Sequence, residues 1–143
     1  FGGSDIRDST SFAHRIILPY KPKTIIFYAG DNDVANGRKP EQVRNDFAEF
    51  TNTIHSVLPR TRIVFLSIKP SIKRESQYDK QAKANLLVRE YCEQDKRLVF
   101  LDVAPLMVDE SGKLIPSLFG KDGLHLSAEG YERWSKAVLP YLK

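Results

Sequence analysis

The sequence predicts an α/β domain in which a parallel β-sheet is covered by helices on both faces. Three short runs of β-branched, aromatic and leucine residues, at positions 24–29, 62–67 and 98–102, alternate with segments of helical periodicity. This alternation is typical of βαβ units, whose strands are parallel and whose crossover helices cover the sheet. A chain of 143 residues with 41% hydrophobic content is long and apolar enough for one such domain.

A short first helix is expected near the start of the chain. Residues 8–10, Asp-Ser-Thr, offer side chains that can accept hydrogen bonds at a helix N-terminus, and Phe12 and Ile16 follow at helical spacing. The run at 24–29 is long enough for a strand that is buried on both faces. The polar stretch 30–33, Gly-Asp-Asn-Asp, follows that strand directly.

Three more helices are expected further along the chain. The first begins at Pro40 and ends before Pro59, and its apolar face carries Val43, Phe47, Phe50, Ile54 and Val57. The second follows the strand at 62–67 and a loop, with its apolar positions at Tyr78, Ala82, Leu86, Leu87 and Tyr91. The last begins after Ser127 and should place Tyr131 and Trp134 in the core.

Composition argues against several classes of function. The net charge of +4 comes from 22 basic and 18 acidic residues that are spread along the chain, which does not favour nucleic-acid binding. The single cysteine, Cys92, excludes an intrachain disulfide and a multi-cysteine metal cluster, and it is expected to be buried. No apolar run approaches the roughly 18 residues of a membrane-spanning helix, so no integral membrane segment is expected.

A carboxylate and a histidine stand three positions apart just before the last helix. Asp122 can accept the Nδ1 proton of His125, which is the arrangement of an orienting group and a general base. Because the carboxyl ends of parallel strands meet at one edge of a sheet, Asn32 and this turn should converge there. Two alternatives are a purely structural hydrogen bond and a metal site that adds Asp31 and Asp33, although no cysteine or histidine cluster supports a metal.

Three blocks of the chain resemble the SGNH hydrolases, also called GDSL lipases and esterases. Gly30-Asp31-Asn32-Asp33 matches the G-x-N-D block of that family, Asp122-Gly123-Leu124-His125 matches its D-x-x-H block, and Phe1-Gly2-Gly3-Ser4 resembles its glycine block. The resemblance covers the whole chain, because the blocks follow the family's order around the three predicted strands. It implies the family's flavodoxin-like three-layer α/β/α fold. Residues 1–143 would form the C-terminal part of a single domain, without the first two strands of its sheet.

The resemblance also implies roles for four residues. His125 would be the general base that activates a serine, and Asp122 would hold its ring in the required tautomer. The side-chain amide of Asn32 and the backbone N–H of Gly3 would donate hydrogen bonds to the oxyanion of a tetrahedral intermediate. Such an enzyme cleaves small acyl esters through an acyl-serine, without a metal or an organic cofactor. Lipid esters, acetylated sugars and thioesters fit the site equally well.

The nucleophilic serine of the family has no counterpart in the chain. In the family its G-D-S block precedes the glycine block, so the serine is expected upstream of Phe1. The nearest look-alike, Gly3-Ser4-Asp5, already matches the glycine block and is not followed by the expected elements. Ser67, at the end of the second predicted strand, could lie near His125, but the loop that follows it resembles substrate-pocket lining. We therefore expect part of an acyl hydrolase that is inactive when isolated.

A second hypothesis is a non-catalytic or partner-completed module that keeps the fold. Without its neighbour in the family's sheet, the strand at 24–29 would expose a flat apolar edge. Such an edge is expected to pair with a second copy of the chain, forming a homodimer, or with a separate segment. The sequence leaves the cellular compartment undetermined.

Overall fold

A parallel three-stranded sheet forms the centre of the computed structural model, which describes residues 4–142. Strands β1 (Thr24–Phe27), β2 (Arg62–Leu66) and β3 (Leu98–Leu101) lie side by side in chain order. Because both strand pairs are parallel, all three strands point their carboxyl ends to the same edge of the sheet. The predicted α/β fold is confirmed.

Helices cover both faces of this sheet. Within residues 4–142 they are α1 (Ile6–Ile16), α2 (Asp31–Ala35), α3 (Pro40–Val57), α4 (Tyr78–Cys92) and α5 (Ala128–Val138). The two long helices, α3 and α4, occupy the predicted segments. The predicted apolar face of α4 is wrong, because Tyr78, Ala82 and Leu86 are exposed, and the side of the helix that enters the core carries Gln81, Ala84, Val88 and Cys92. Val57, at the end of α3, is also exposed. Cys92 is buried at the end of α4, as expected, and burial raises the pKa of its thiol to about 12. No helix in the described part of the chain is long and apolar enough to cross a membrane.

The first helix begins earlier than the sequence indicated. Its N-cap is Asp5, whose carboxylate accepts a hydrogen bond from the backbone N–H of Asp8 at 2.9 Å. The Asp8 side chain returns the contact by accepting from the backbone N–H of Asp5 at 2.9 Å. The prediction that residues 8–10 cap the helix is wrong, because this reciprocal pair satisfies the free N–H groups one turn earlier. The helix buries Ile6 and Ala13, whereas Phe12 and Ile16 are exposed.

Strand β1 is shorter and less buried than predicted. It ends at Phe27, the only one of its four residues that is buried, and Ile25 and Ile26 are partly exposed. The expectation of burial on both faces is therefore wrong. The physical reason is the position of β1 at the edge of the described sheet, where one side has no neighbouring strand.

An aromatic cluster joins one face of the sheet to α3. The rings of Phe27 and Phe50 stack with their centroids 4.3 Å apart, and Phe47 meets Phe65 edge to face at 4.8 Å. These side chains come from β1, β2 and α3, and all four are buried. Burying such large rings stabilises the fold by several kcal/mol in total, at about 1.5–3 kcal/mol for each large apolar side chain. The cluster therefore fixes β1 and β2 against α3.

Helix α5 covers the opposite face of the sheet. Trp134 is buried there as predicted, and its ring lies edge to face with Tyr28 at 4.9 Å. Tyr131 points outward and is exposed, so its predicted place in the core is wrong. The start of the helix packs closely against the 3-10 turn Pro116–Leu118. A Cβ added at Gly130 would lie 2.3 Å from the carbonyl oxygen of Leu118. Only glycine permits this approach.

Candidate functional site

A cleft of about 630 Å³ opens at the carboxyl edge of the sheet, next to the end of β1. Residues 26–32 form one wall, and the loop after β2 contributes Lys69 and Arg74. His125 and Leu124 complete the lining from the turn before α5, together with Ser4 and Ser9 from the start of the chain. The predicted convergence of Asn32 with His125 is therefore confirmed.

His125 and Asp122 form a directly bonded pair on the rim of this cleft. The ring Nδ1 of His125 lies 2.5 Å from Asp122 Oδ2. The other carboxylate oxygen, Oδ1, accepts from the backbone N–H groups of Leu124 and His125, each at 2.9 Å. With these three contacts the carboxylate fixes the conformation of the turn as well as the ring.

The charge state of Asp122 determines the tautomer of His125. The His125 side chain, followed by the backbone N–H groups of Leu124 and His125, holds the pKa of the Asp122 carboxyl well below its ordinary value. An ionised carboxylate can only accept hydrogen bonds, so Nδ1 of His125 carries the proton and donates a hydrogen bond to Asp122. When the ring is neutral, Nε2 therefore keeps its lone pair, which is the state that a general base requires.

The turn that carries the pair is held by neighbouring backbone. Gly123 has a φ of +67°, a conformation that side chains disfavour, and a Cβ there would lie 3.3 Å from Cβ of Ile72. The carbonyl of Gly123 accepts from the backbone N–H of Lys73 at 3.0 Å. At the base of the turn, the N–H of Gly120 donates to the carbonyl of His125 at 2.8 Å. The turn and the loop after β2 therefore support each other.

Asn32 lies in the first turn of α2, immediately after β1. Gly30 makes that position possible with a φ of +118°, and it packs so closely that a Cβ would lie 2.8 Å from Cδ1 of Ile68. The Asn32 amide nitrogen donates to the backbone carbonyl of Ser4 at 2.9 Å. Its amide oxygen accepts from Nη1 of Arg74 at 3.0 Å. Both ends of the side-chain amide are thus engaged beside the cleft.

Asp31 and Asp33, on either side of Asn32, support the loop. Asp31 accepts from Arg74 Nη1 at 2.6 Å and from Lys69 Nζ at 3.2 Å. Asp33 accepts from the backbone N–H of Ile6 at 3.1 Å through Oδ2, which links α2 to α1. These contacts join α1, α2 and the loop after β2 around Asn32.

Two further residues, Gly3 and Ser67, were considered in the sequence analysis. Gly3 lies outside the described residues. Ser67 is buried, and its hydroxyl oxygen accepts from the backbone N–H groups of Val103 and Ala104 at 2.9 and 3.0 Å. A hydroxyl enclosed in this way holds the loop after β3 and lacks the accessibility of a nucleophile.

The metal alternative finds no support in the part of the chain that the structure describes. Residues 4–142 contain no group of three or more His, Cys, Asp or Glu side chains placed to hold an ion. Two cationic side chains, Lys69 and Arg74, already neutralise the Asp31 carboxylate that such a site would use.

The roles of Lys69 and Arg74 were not predicted from the sequence. They follow β2 by three and eight residues, in a loop without helical or strand periodicity. A positive charge in such a loop is usually solvated. Their position in the sequence could have indicated a role at the site. They follow a parallel strand, and the loops after parallel strands meet at the edge of the sheet where Asn32 lies.

The chain is similar to known proteins in sequence and in fold. A sequence model of the GDSL-like lipase/acylhydrolase family matches residues 1–133. No curated protein sequence matches the chain.

Solved structures share the fold at low sequence identity. A Streptococcus pneumonia protein provisionally described as a platelet activating factor is 23% identical with a TM-score of 0.87, and the match covers 99% of this chain and 69% of that one. The OSK domain of Drosophila Oskar is 19% identical with a TM-score of 0.81, covering 99% and 71%. A Clostridium thermocellum family 3 carbohydrate esterase is 19% identical with a TM-score of 0.75, covering 98% and 67%. At these identities the likeness shows the fold alone.

The buried carboxylate of Asp33 generates a prediction about stability. Its Oδ1 has no hydrogen-bond partner among residues 4–142, and burial raises the pKa of Asp33 above its ordinary value of 3.8. A raised pKa means that the ionised side chain costs stability in the folded state, and this cost disappears once both states are protonated. We expect Asp33→Asn to stabilise the fold at pH 7 and the difference from wild type to vanish below about pH 3.8.

Urea unfolding of both proteins at pH 7 and at pH 3.5 measures this difference. Asp46→Asn is the matched control, because Asp46 is also buried but is paired with Arg38 at 2.7 Å, so its replacement should destabilise the fold. A loss of stability in Asp33→Asn at pH 7 would contradict the interpretation.

Proposed function

The chain belongs to the GDSL-like lipase/acylhydrolase family, and from that premise we propose that the protein is a serine ester hydrolase acting on small acyl esters. The observation that carries the proposal is the bonded pair of Asp122 and His125 on the same cleft as Asn32. Ester hydrolysis through a serine needs a base, a group that orients it and a donor for the oxyanion. The three residues supply one of each.

His125 serves as the base in this proposal. Its Nε2 takes the proton of a serine hydroxyl while the serine oxygen attacks the ester carbonyl carbon, and the ring becomes an imidazolium. Asp122 stabilises that charge through Nδ1. The imidazolium then returns the proton to the departing alcohol as the C–O bond breaks, which leaves an acyl-serine. A water molecule, deprotonated by the same nitrogen, hydrolyses the acyl-serine and restores the serine.

Asn32 donates to the oxyanion. One amide N–H is bonded to the carbonyl of Ser4, and the nitrogen carries a second N–H that can donate to the negative oxygen. The backbone N–H of Gly3 is proposed as the partner donor on the strength of the family's glycine block. Loss of one such donor costs on the order of 10² to 10³ in rate.

We place the nucleophilic serine outside residues 4–142. Three serines have structural bonds: Ser67 accepts two backbone N–H groups, Ser71 accepts from the N–H of Arg74, and Ser127 caps α5 at Gly130. Ser4 and Ser9 line the cleft, but neither stands in a G-D-S block. Isolated residues 1–143 would then bind an ester without turning it over. The substrate stays open among lipid esters, acetylated sugars and thioesters, and the carbohydrate esterase among the neighbours supports including the sugars.

Substitutions at the pair test the proposal in the full-length protein with p-nitrophenyl acetate. We expect His125→Ala to lower kcat/KM by about 10⁴-fold or more, because removal of a triad base leaves only binding and the oxyanion donors. Asp122→Asn should lower it by roughly 10²- to 10⁴-fold, since the ring loses the acceptor that fixes its tautomer. Steady-state kinetics with each purified variant measures both effects.

His14→Ala is the control for the histidine substitution, because His14 is exposed on α1 and does not line the cleft. Its kcat/KM should equal that of the wild type. If His125→Ala kept more than about a tenth of the wild-type value, a role as general base would be untenable.

A partner-completed module is the second candidate function, and the edge of the sheet favours it. One side of β1 has no strand neighbour among residues 4–142, and Ile26 of that strand lines the cleft together with Tyr28, which follows it. Strand edges of this kind pair readily with other strands. We propose that residues 24–29 pair with a second copy of the chain, or with a separate segment that also brings the serine.

Light scattering coupled to size exclusion tests the pairing in the 143-residue chain. We expect a dimer whose fraction rises with concentration, and Ile26→Lys should shift it to monomer because a lysine on an edge strand opposes pairing. Ile16→Lys, on the exposed side of α1, should leave the dimer intact. A monodisperse monomer of the wild-type chain, with no second polypeptide in the sample, would contradict the pairing.

A further inference from the structure

We propose that Arg74 is a positioning residue of the oxyanion site, and that it fixes the Asn32 amide so that one amide N–H is available to the cleft. The inference rests on the proposed ester hydrolysis and assigns a role to a residue outside the three sequence blocks. The contacts around Asn32 and the contacts that hold Arg74 support it, and a matched arginine elsewhere in the fold provides a control.

The orientation of the Asn32 amide depends on two neighbours. A side-chain amide can flip, which exchanges a donor for an acceptor at the same place. Arg74 Nη1 donates to the amide oxygen at 3.0 Å, and the carbonyl of Ser4 accepts from the amide nitrogen at 2.9 Å. A flip would set N–H against the guanidinium and oxygen against oxygen, so both contacts would become repulsive. Among residues 4–142, Arg74 is the donor to the amide oxygen.

Arg74 is well placed to act as a fixed donor. Its Nη1 also donates to Asp31 Oδ1 at 2.6 Å, so one nitrogen bridges two consecutive residues of α2. Its backbone N–H donates to Ser71 at 3.2 Å, and only 19% of its side chain is exposed. A guanidinium is always protonated and rigid, which lets it hold two acceptors in one geometry. The position of the amide is therefore set before a substrate arrives.

The charges around Asp31 are suited to a developing oxyanion. The carboxylate of Asp31 is shared by two cations, since Lys69 Nζ lies 3.2 Å from Oδ2 while Arg74 holds Oδ1. With Lys69 protonated, these three groups carry one surplus positive charge next to Asn32. Fixed positive charge near an oxyanion in a partly dehydrated cleft favours the transition state. Replacing Arg74 would remove both the amide contact and this surplus.

A second arginine, Arg38, provides a control that distinguishes a positioning role of Arg74 from a contribution to the stability of the fold. Arg38 holds Asp46 through contacts of 2.7 to 3.1 Å, with 23% and 9% of the two side chains exposed. The pair of Arg74 and Asp31 is buried to a similar degree, at 19% and 9%. Arg38 does not line the cleft. Arg38→Met and Arg74→Met should therefore cost similar stability, and only the latter should change the chemistry.

Kinetics of the full-length protein with p-nitrophenyl acetate form the first arm of the test. We expect Arg74→Met to lower kcat by about 10- to 100-fold with KM changed by less than about threefold, because an oxyanion donor acts in the transition state. Arg74→Lys should fall between, since one ammonium keeps the charge without the planar fork. Added guanidinium should restore part of the kcat of Arg74→Gly. A rise in KM alone, or equal losses in Arg38→Met, would overturn the proposal.

The side-chain amide resonances of Asn32 form the second arm, in the same folded variants, with Asn32→Asp used for assignment. We expect the two amide protons to shift and to exchange faster with solvent in Arg74→Met, and to stay unchanged in Arg38→Met. If the wild type hydrolyses no ester, the proposed function fails, and these resonances alone decide the role of Arg74. Unchanged resonances in Arg74→Met would overturn it.

Discussion

Parallel pairing of β1 with β2 is the constraint on which the site depends. It brings the helix after β1 and the loop after β2 to one edge of the sheet, although Asn32 and Arg74 stand 42 residues apart in the chain. The aromatic cluster beneath the sheet holds the two strands in register against α3. The turn that carries Asp122 and His125 leads directly into α5. This helix can lie close to the 3-10 turn Pro116–Leu118 because Gly130 has no side chain. Core packing on both faces thus sets the relative positions of base and oxyanion donor.

Within that frame, Asp31 joins the separate parts of the site into one unit. Its carboxylate forms ion pairs with Lys69 and Arg74, both in the loop after β2. The same loop supports the turn that carries His125, because the backbone N–H of Lys73 donates to the carbonyl of Gly123. Partners of opposite charge lower the cost of burying a carboxylate. The charges that stabilise the loop and the groups proposed for catalysis are therefore coupled. A substitution of Lys69 or Arg74 should therefore disturb the position of Asn32 more than the position of His125.

Much of this arrangement could be predicted from the sequence, and the remainder shows where local patterns stop. Helix α3 follows from apolar periodicity, and the bonded pair follows from the spacing of Asp122 and His125. The segment of α4 was predicted, but its buried face was not, because the face in the core includes Gln81. The start of α1 was misplaced because several Asp and Ser residues can cap a helix, and tertiary contacts decide among them. The contact of Arg74 with Asn32 depends on the path of an irregular loop, which no local periodicity encodes. The shortness of β1 reflects its place at the edge of the sheet, which is a property of the whole fold.

The central claim is that Asp122 holds His125 in the tautomer of a general base. Nitrogen NMR of the histidine rings tests it most directly, at roughly pH 9, where an ordinary imidazole is neutral. The account predicts that His125 carries its proton on Nδ1 in the wild type and loses this preference in Asp122→Asn, while the exposed ring of His14 is the same in both proteins. A wild-type His125 with its proton on Nε2 would contradict the account, because that nitrogen could not then accept the proton of a serine.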